Sequence, residues 1–166
     1  VCLLGQKKGC VENTIVPYNT PAGAFSEGIA MMGLTLIFEG GLEGSLHYLK
    51  NKFSLELDIS AHLALEKALK KLSSALTNAC WLLYVEKCTK ETVREYLHEY
   101  WSHDLASIDH KLEFITHPSY QTYYFNYVLG QEAVRVGYEK AIAKGLAKAE
   151  VVRRLFTWQL TAKTMD

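Results

Sequence analysis

The chain has 166 residues, of which 49% are hydrophobic and 22% are charged. This length and composition are typical of one globular domain that buries a core, and they exclude a disordered chain. The 18 Lys and Arg residues balance the 18 Asp and Glu residues, so the charge argues against nucleic acid or an anionic membrane as a partner. We therefore expect a single domain over residues 1–166 that binds neither.

The cysteine pattern predicts a reduced protein. The four cysteines are Cys2, Cys10, Cys80 and Cys88. Their even number permits two disulfides, but the sequence shows neither a signal-peptide pattern nor C-x-x-C spacing. Buried thiols in a soluble, cytoplasmic protein are therefore expected. The longest apolar runs, around 29–38 and 79–85, are too short to span a bilayer.

Residues 1–20 predict an irregular lead-in because Gly and Pro recur in it. Thr20 and Pro21 then have the pattern of an N-cap followed by proline at the first helical position. This helix is expected to run to about Glu39, where the sequence EGG stops it. A second helix is expected in LEGSLHYLKNKF.

Helical spacing continues through the rest of the chain. Apolar residues recur at helical intervals from Ser54 to about Lys87, with Glu66 and Lys70 as an exposed i,i+4 pair. Further helices are expected after Thr89, after Ser102 with Asp104, from Pro118 to near Gly145, and in an amphipathic last segment with Val151, Val152, Leu155 and Leu160 on its apolar side. The predicted architecture is all-α, with six or seven helices around one core.

One acid, Glu27, stands in the otherwise small and apolar segment PAGAFSEGIAMMG. The small residues at positions 28, 30 and 33 predict that another helix backbone approaches this flank closely. A buried carboxylate there would need a cation, which a metal could supply. The alternative is an acid in the first or second helical turn that the helix dipole stabilises. Composition by itself favours this alternative.

The most aromatic stretch of the chain is HPSYQTYYFNY. Four of its tyrosines are expected on one helical face: Tyr120, Tyr123, Tyr124 and Tyr127. This face predicts either a core whose hydroxyls reach out to partners or a cleft wall that contacts a peptide backbone. Arg135 follows on nearly the same side, where it could bind a substrate carboxylate or pair with Glu139.

The histidines give weaker patterns. His98 and His103 are five residues apart, a spacing that rotates them roughly 140° from each other on a helix. They would not share a metal unless the helix broke at Trp101 and Ser102. Three histidines repeat every seven residues, roughly 10 Å apart along a helix and too far for one metal. These are His103, His110 and His117, and a solvated or half-buried face is expected for them.

Two segments resemble a known family. SEGIAMMGLTLIFEG resembles the E-G-x-A-x-x-G segment of helical gluzincin metallopeptidases, and YFNYVLG, residues 124–130, resembles the Y-x-x-G stretch that follows in those families. The resemblance implies that Glu27 is the third zinc ligand, beside two histidines of an H-E-x-x-H helix. It implies that Tyr127, or a neighbour at Tyr123 or Tyr124, stabilises the oxyanion formed at the substrate carbonyl. Arg135 and Tyr120 are then expected to contact the peptide substrate.

The sequence departs from this family because no H-E-x-x-H occurs in its 166 residues. We therefore expect the metal-binding helix to lie upstream of Val1 and the chain to be the C-terminal portion of a longer protein. This portion would dock on the missing N-terminal portion, bind zinc only with it, and be inactive alone. The alternative is a self-contained helical interaction or scaffold domain, in which Glu27 is a helix charge and the tyrosines are core.

Overall fold

The structure is a computed structural model that describes Gly9 and residues 20–157. These residues form helices and no strands, which confirms the all-α prediction. Eight of the helices in this part of the chain have ten residues or more and another is a single short turn, so there are more helices than the six or seven predicted. No helix among them is long and apolar enough to cross a membrane. The predicted lead-in, with Cys2 and Cys10, and the apolar Leu160 lie outside the described residues.

The helices follow one another with short connections. In chain order they are α1 (Pro21–Met31), α2 (Gly33–Ile37), α3 (Gly41–Phe53), α4 (Ile59–Lys70), α5 (Ala75–Tyr84), α6 (Lys90–Tyr100), α7 (Leu105–Thr116), α8 (Tyr123–Ala143) and α9 (Lys148–Thr157).

Polar side chains begin three helices where the sequence predicts them. Thr20 accepts a hydrogen bond of 3.2 Å from a backbone N–H in the first turn of α1, and Pro21 takes the first helical position. The side chain of Thr89 likewise accepts a hydrogen bond of 3.2 Å from a backbone N–H of α6. That of Asp104 accepts one of 3.3 Å from a backbone N–H of α7. Each cap satisfies an N–H that has no partner within the helix.

The first predicted helix is divided. α1 ends at Met31 and α2 begins at Gly33, whereas one helix to about Glu39 was expected. Between them Met32 has φ −87° and ψ 0°, outside the helical region. Gly33 makes this departure inexpensive because glycine gains little from helical conformation.

Two further boundaries follow from local chemistry. The apolar run from Ser54 breaks after α4, where Ser73 donates both its N–H and its hydroxyl to the carbonyl of Lys70. Such local bonds replace the helical pattern. Pro118 holds the preceding residue, His117, in an extended conformation, and α8 begins only at Tyr123.

The chain divides into two compact units. We call the residues up to Ile37 and from Phe125 onward the terminal unit, and residues 38–124 the central unit. The terminal unit is thus built from two separate stretches of chain, and the central unit from one continuous stretch. The expectation of one domain around a single core stays a prediction.

The core of the terminal unit draws on α1, α2, α8 and α9. Its buried members are Phe25, Met32, Leu36, Val134, Val151 and Leu155. Val151 and Leu155 confirm the predicted apolar side of α9. Full burial of such a side chain stabilises the fold by about 2 kcal/mol.

In the central unit α5 packs on α6, α6 packs on α7, and α3 packs on α4. Its least exposed large side chains are Cys80, Val93, Leu97, Ile108 and Ile115, all on α5, α6 and α7. The phenol of Tyr84 donates a hydrogen bond of 2.7 Å to the carbonyl of Ile115, which ties α5 to α7. Arg94 of α6 binds Asp109 of α7 through two hydrogen bonds, one of them 3.0 Å long.

Helix α4 differs from its neighbours because it has no buried residue. Leu65 and Leu69 are 58% and 52% exposed. The predicted pair of Glu66 and Lys70 forms on its surface, with 3.8 Å between the charged atoms. α4 therefore contributes helical surface to the central unit but no buried side chain.

Candidate functional site

Glu27 is the seventh residue of α1 and is half-buried. No acidic residue stands in the first turn of this helix, and attraction to the helix dipole falls off beyond that turn. The dipole therefore accounts for little of the placement of Glu27. The sequence left two alternatives, a buried carboxylate that needs a cation and an acid in the first or second turn that the helix dipole stabilises. Glu27 is half-buried and lies in the second turn.

Gly28, directly after Glu27, forms the closest helix crossing of the terminal unit that the structure describes. A methyl group at Gly28 would overlap the carbonyl of Gly130 and lie 2.9 Å from the backbone nitrogen of Gln131. A methyl group at Gly130 would in turn overlap the carbonyl of Ala24. The backbones of α1 and α8 therefore touch, which only glycine permits. The predicted close approach is confirmed at position 28.

The other two small positions do not take part in this contact. Ala30 is exposed, and a methyl group at Gly33 would meet no atom within 4 Å. The prediction of a continuous thinned flank was therefore wrong at these positions. The helix break at Met32 explains the difference for Gly33, because it ends the surface that α1 presents to α8.

Tyr127 lies on α8, three residues before Gly130, and is half-buried. Residues three apart share a helix face, so Tyr127 lies on the side of α8 that crosses α1. The two segments with family resemblance are far apart in the sequence. The structure brings them together through Gly28 and Gly130, each a glycine of one of the two segments.

Arg135, the predicted substrate ligand on α8, is held by two carboxylates. Its guanidinium donates to Glu132 and to Glu139, with shortest distances of 2.7 Å to each. The hydrogen bonds that Arg135 donates to Glu132 and then to Glu139 raise the pKa of Arg135, and Arg135 lowers the pKa of Glu132. The pairing with Glu139 is confirmed. A substrate carboxylate would have to compete with both acids, and that role stays a prediction.

Three of the predicted tyrosines gather around Phe114 of α7 in the central unit. The ring of Tyr120 stacks on Phe114 at 4.9 Å, and those of Tyr123 and Tyr124 meet it edge-on at 6.2 Å and 5.6 Å. Tyr120 precedes α8, so the four tyrosines do not share one helical face as expected. All three tyrosines are half-buried, and both interpretations of the aromatic stretch stay predictions.

The described residues do not by themselves fit a catalytic zinc ion, which takes three protein ligands. No three His, Cys, Asp or Glu side chains between residues 20 and 157 are placed to hold a metal. Glu27 is one carboxylate, whereas catalytic zinc takes three protein ligands. The sequence also lacks H-E-x-x-H, so these 166 residues do not supply the two histidine ligands of that motif. Zinc chemistry at Glu27 would need ligands from elsewhere.

The histidines are separated, as their spacing suggests. His103, His110 and His117 are all exposed, and only His110 lies within α7. His117 stacks on Tyr120 at 4.9 Å, and Asp104 and Asp109 serve as a helix cap and as the partner of Arg94. The predicted exposed face is confirmed. His98 and His103 are the exception. Their spacing predicted that they would point apart on a continuous helix, but their ring centroids lie 5.1 Å apart.

Cys80 is a buried, unreactive thiol. It is 1% exposed and forms no disulfide. Burial raises the pKa of the Cys80 thiol to about 11, which favours the protonated thiol over the nucleophilic thiolate at neutral pH. This confirms the expected buried thiol at position 80; Cys88 is also free and half-buried.

The fold and this geometry define an all-α protein whose two helices α1 and α8 cross at glycine, with an acid and a tyrosine beside the crossing. Comparison of the chain with models of protein families, with curated proteins and with solved structures finds no match. The candidate site therefore depends on its own geometry and on the resemblance of two short segments.

Proposed function

We propose that this chain is a helical portion of a zinc-dependent peptidase of the gluzincin type. In this proposal Glu27 supplies one metal-ligating carboxylate and Tyr127 supplies a phenol that stabilises the oxyanion at the scissile carbonyl. Because the described residues do not fit a catalytic zinc ion alone, the histidine ligands come from a helix outside these 166 residues, and this portion is inactive alone.

The backbone contact between Gly28 and Gly130 carries the proposal. A site shared by two segments far apart in the chain requires the fold to bring the segments together. Here they meet at their glycines, and each of these glycines lies within three residues of the side chain to which the resemblance gives a role. The crossing therefore supports a shared site for Glu27 and Tyr127.

Exposed apolar side chains in the terminal unit give secondary support. Met31 and Ile37 follow the Glu27 segment and are 51% and 73% exposed, and Leu129 beside Gly130 is 62% exposed. These side chains are apolar surface that another element can cover. A metal-binding helix that completes the site would cover it.

The test uses the product of the native gene that encodes this chain, purified without added metal. Wild type is expected to contain about one zinc per chain and to hydrolyse peptides, because structural and catalytic zinc sites bind tightly. Glu27→Gln removes the ligand charge and is expected to lose this copurifying zinc and the activity. Glu43→Gln, an exposed acid of α3 in the first turn, is the matched control and is expected to keep both.

The alternative is a self-contained helical interaction domain. The exposed leucines of α4, which has no buried residue, favour it. A native product that lacks H-E-x-x-H, or one in which Glu27→Gln keeps its zinc and activity, would reject the peptidase in favour of this alternative.

A further inference from the structure

His98 and His103 form a pair of neighbouring imidazoles in the central unit. Their ring centroids are 5.1 Å apart, and the ring planes are inclined by 68°. Both side chains are exposed, so a solute can reach them. Neither belongs to the crossing of α1 and α8.

The end of α6 brings these two rings together. On a continuous helix, residues five apart point roughly 140° away from each other. α6 ends at Tyr100, and Trp101 takes φ −125° and ψ −53° outside the helix. The chain turns there, and Asp104 begins α7. The break places His103 back beside the last turn of α6.

The separation of the rings suits one shared metal ion. Imidazole nitrogens bind zinc at about 2.0–2.1 Å, so the ring centres of two histidines on one tetrahedral ion lie about 5 Å apart. The observed separation is 5.1 Å. The separation therefore matches that of two histidines on one ion, and binding requires the two rings, now inclined by 68°, to rotate until one nitrogen of each faces the ion.

The surroundings of His98 favour a cation. It lines an open groove together with Glu91, Arg94, Glu95, Glu99 and Leu105. The one basic residue among these, Arg94, already binds Asp109, so the acids of the groove dominate its charge. The C-terminal end of α6 adds the negative end of its helix dipole.

We propose that His98 and His103 together bind one divalent transition-metal ion of the kind that prefers imidazole, with water as its remaining ligands. Zinc and copper(II) belong to this class, whereas magnesium and calcium prefer oxygen ligands. The ion links the end of α6 to the segment that leads into α7. This site is independent of the proposed peptidase function and uses none of its residues.

The experiment titrates the purified chain with Zn²⁺ and with Cu²⁺ by isothermal titration calorimetry. Wild type is expected to bind one ion per chain, copper more tightly than zinc. His98→Ala and His103→Ala are each expected to weaken binding by about tenfold or more, a loss typical of metal sites. The double variant is expected to bind little more weakly than either single variant, because one lost ligand already breaks a shared site.

His110→Ala is the matched control, since His110 is an exposed histidine of α7 outside the pair. It is expected to bind as wild type does, and so is Glu27→Gln. A thermal-unfolding series with added Zn²⁺ is a second readout, because an ion that binds only the folded chain raises the midpoint temperature. That rise is expected in wild type and His110→Ala and not in the two pair variants.

Three results would overturn the proposal. The first is the absence of Zn²⁺ and Cu²⁺ binding by wild type. The second is equal affinity in wild type and both single variants. The third is additive behaviour, in which each single variant loses half of the bound metal and the double variant loses all of it, since this describes two separate weak sites.

Discussion

At the scale of single residues, Gly28 is a position where one added carbon would overlap the backbone of another helix. Its missing side chain lets the carbonyl of Gly130 approach the α1 backbone, and the neighbouring atoms are backbone atoms that cannot rotate away. Gly33, a few residues later in α2, has open space around it. The two glycines therefore respond in opposite ways to the same substitution.

We predict that Gly28→Ala lowers the free energy of unfolding by about 1–3 kcal/mol, because the added methyl group forces α1 and α8 apart. Gly33→Ala is the matched control and is expected to raise it by up to about 1 kcal/mol, because alanine favours the helix. Urea denaturation followed by circular dichroism measures both. Equal stability of Gly28→Ala and wild type would show that the two backbones do not touch at this glycine.

Single residues also show how much of the helix crossing could be predicted from the sequence. A glycine next to an isolated acid in an apolar helix predicted a close approach, and position 28 has one. Nothing in the sequence identified Gly130 as the partner, because the contact joins distant stretches of chain. The sequence also did not show that Gly28 would contact another backbone and Gly33 would not, since this depends on where α1 ends.

At the scale of helices, the pair of Arg94 and Asp109 joins α6 to α7 in the central unit. Hydrogen bonding from Arg94, together with its charge, lowers the pKa of Asp109 below its ordinary value. A carboxyl whose pKa is lowered in the folded state stabilises the fold above its unfolded pKa. This contribution is lost as the pH falls through the folded pKa.

We predict that Arg94→Gln moves the pKa of Asp109 back up toward its ordinary value. NMR titration of the Asp109 side-chain carboxyl carbon measures this directly. Because only wild type has the pair to lose, its free energy of unfolding is expected to fall more steeply with decreasing pH in the acid range than that of the variant. Arg153→Gln, which breaks a pair with Glu150 in α9, is the control and is expected to leave the Asp109 titration unchanged. The same Asp109 titration in Arg94→Gln and wild type would contradict the pairing.

Helix starts were easier to predict than helix ends. The caps Thr20, Thr89 and Asp104 are local signals, because a side-chain oxygen satisfies an N–H only a few residues away. The break at Met32 and the turn at Ser73 interrupt apolar patterns that continue on both sides. Periodicity alone cannot detect such breaks, and the pairing of His98 with His103 depends on one of them, at Trp101.

At the scale of the whole molecule, burial is uneven. Helices α5, α6 and α7 hold the fully buried side chains of the central unit, whereas α4 holds no buried residue. Regions with few buried contacts open more readily than the regions that hold the core. The all-α class followed from the sequence, but this distribution did not, because apolar residues recur at helical intervals in α4 as they do in α5.

We predict that backbone amides of α4 exchange with deuterium faster than those of α6 and α7. Hydrogen exchange followed by mass spectrometry measures this in the native protein. Amides of α6 serve as the internal control, since Val93 and Leu97 on that helix are fully buried. Equal protection of α4 and α6 would mean that α4 is held by contacts beyond those of the chain itself.

The division of the terminal unit has a consequence for how the protein is made. The stretch that ends at Ile37 leaves the ribosome before the central unit, but the α8 backbone that Gly28 contacts comes only after the whole central unit. The central unit is continuous and can close on itself during synthesis, which shortens the effective loop between the two stretches. The α1 segment therefore cannot make its contact with α8 until synthesis passes Gly130, and in this interval a chaperone would have the most to protect.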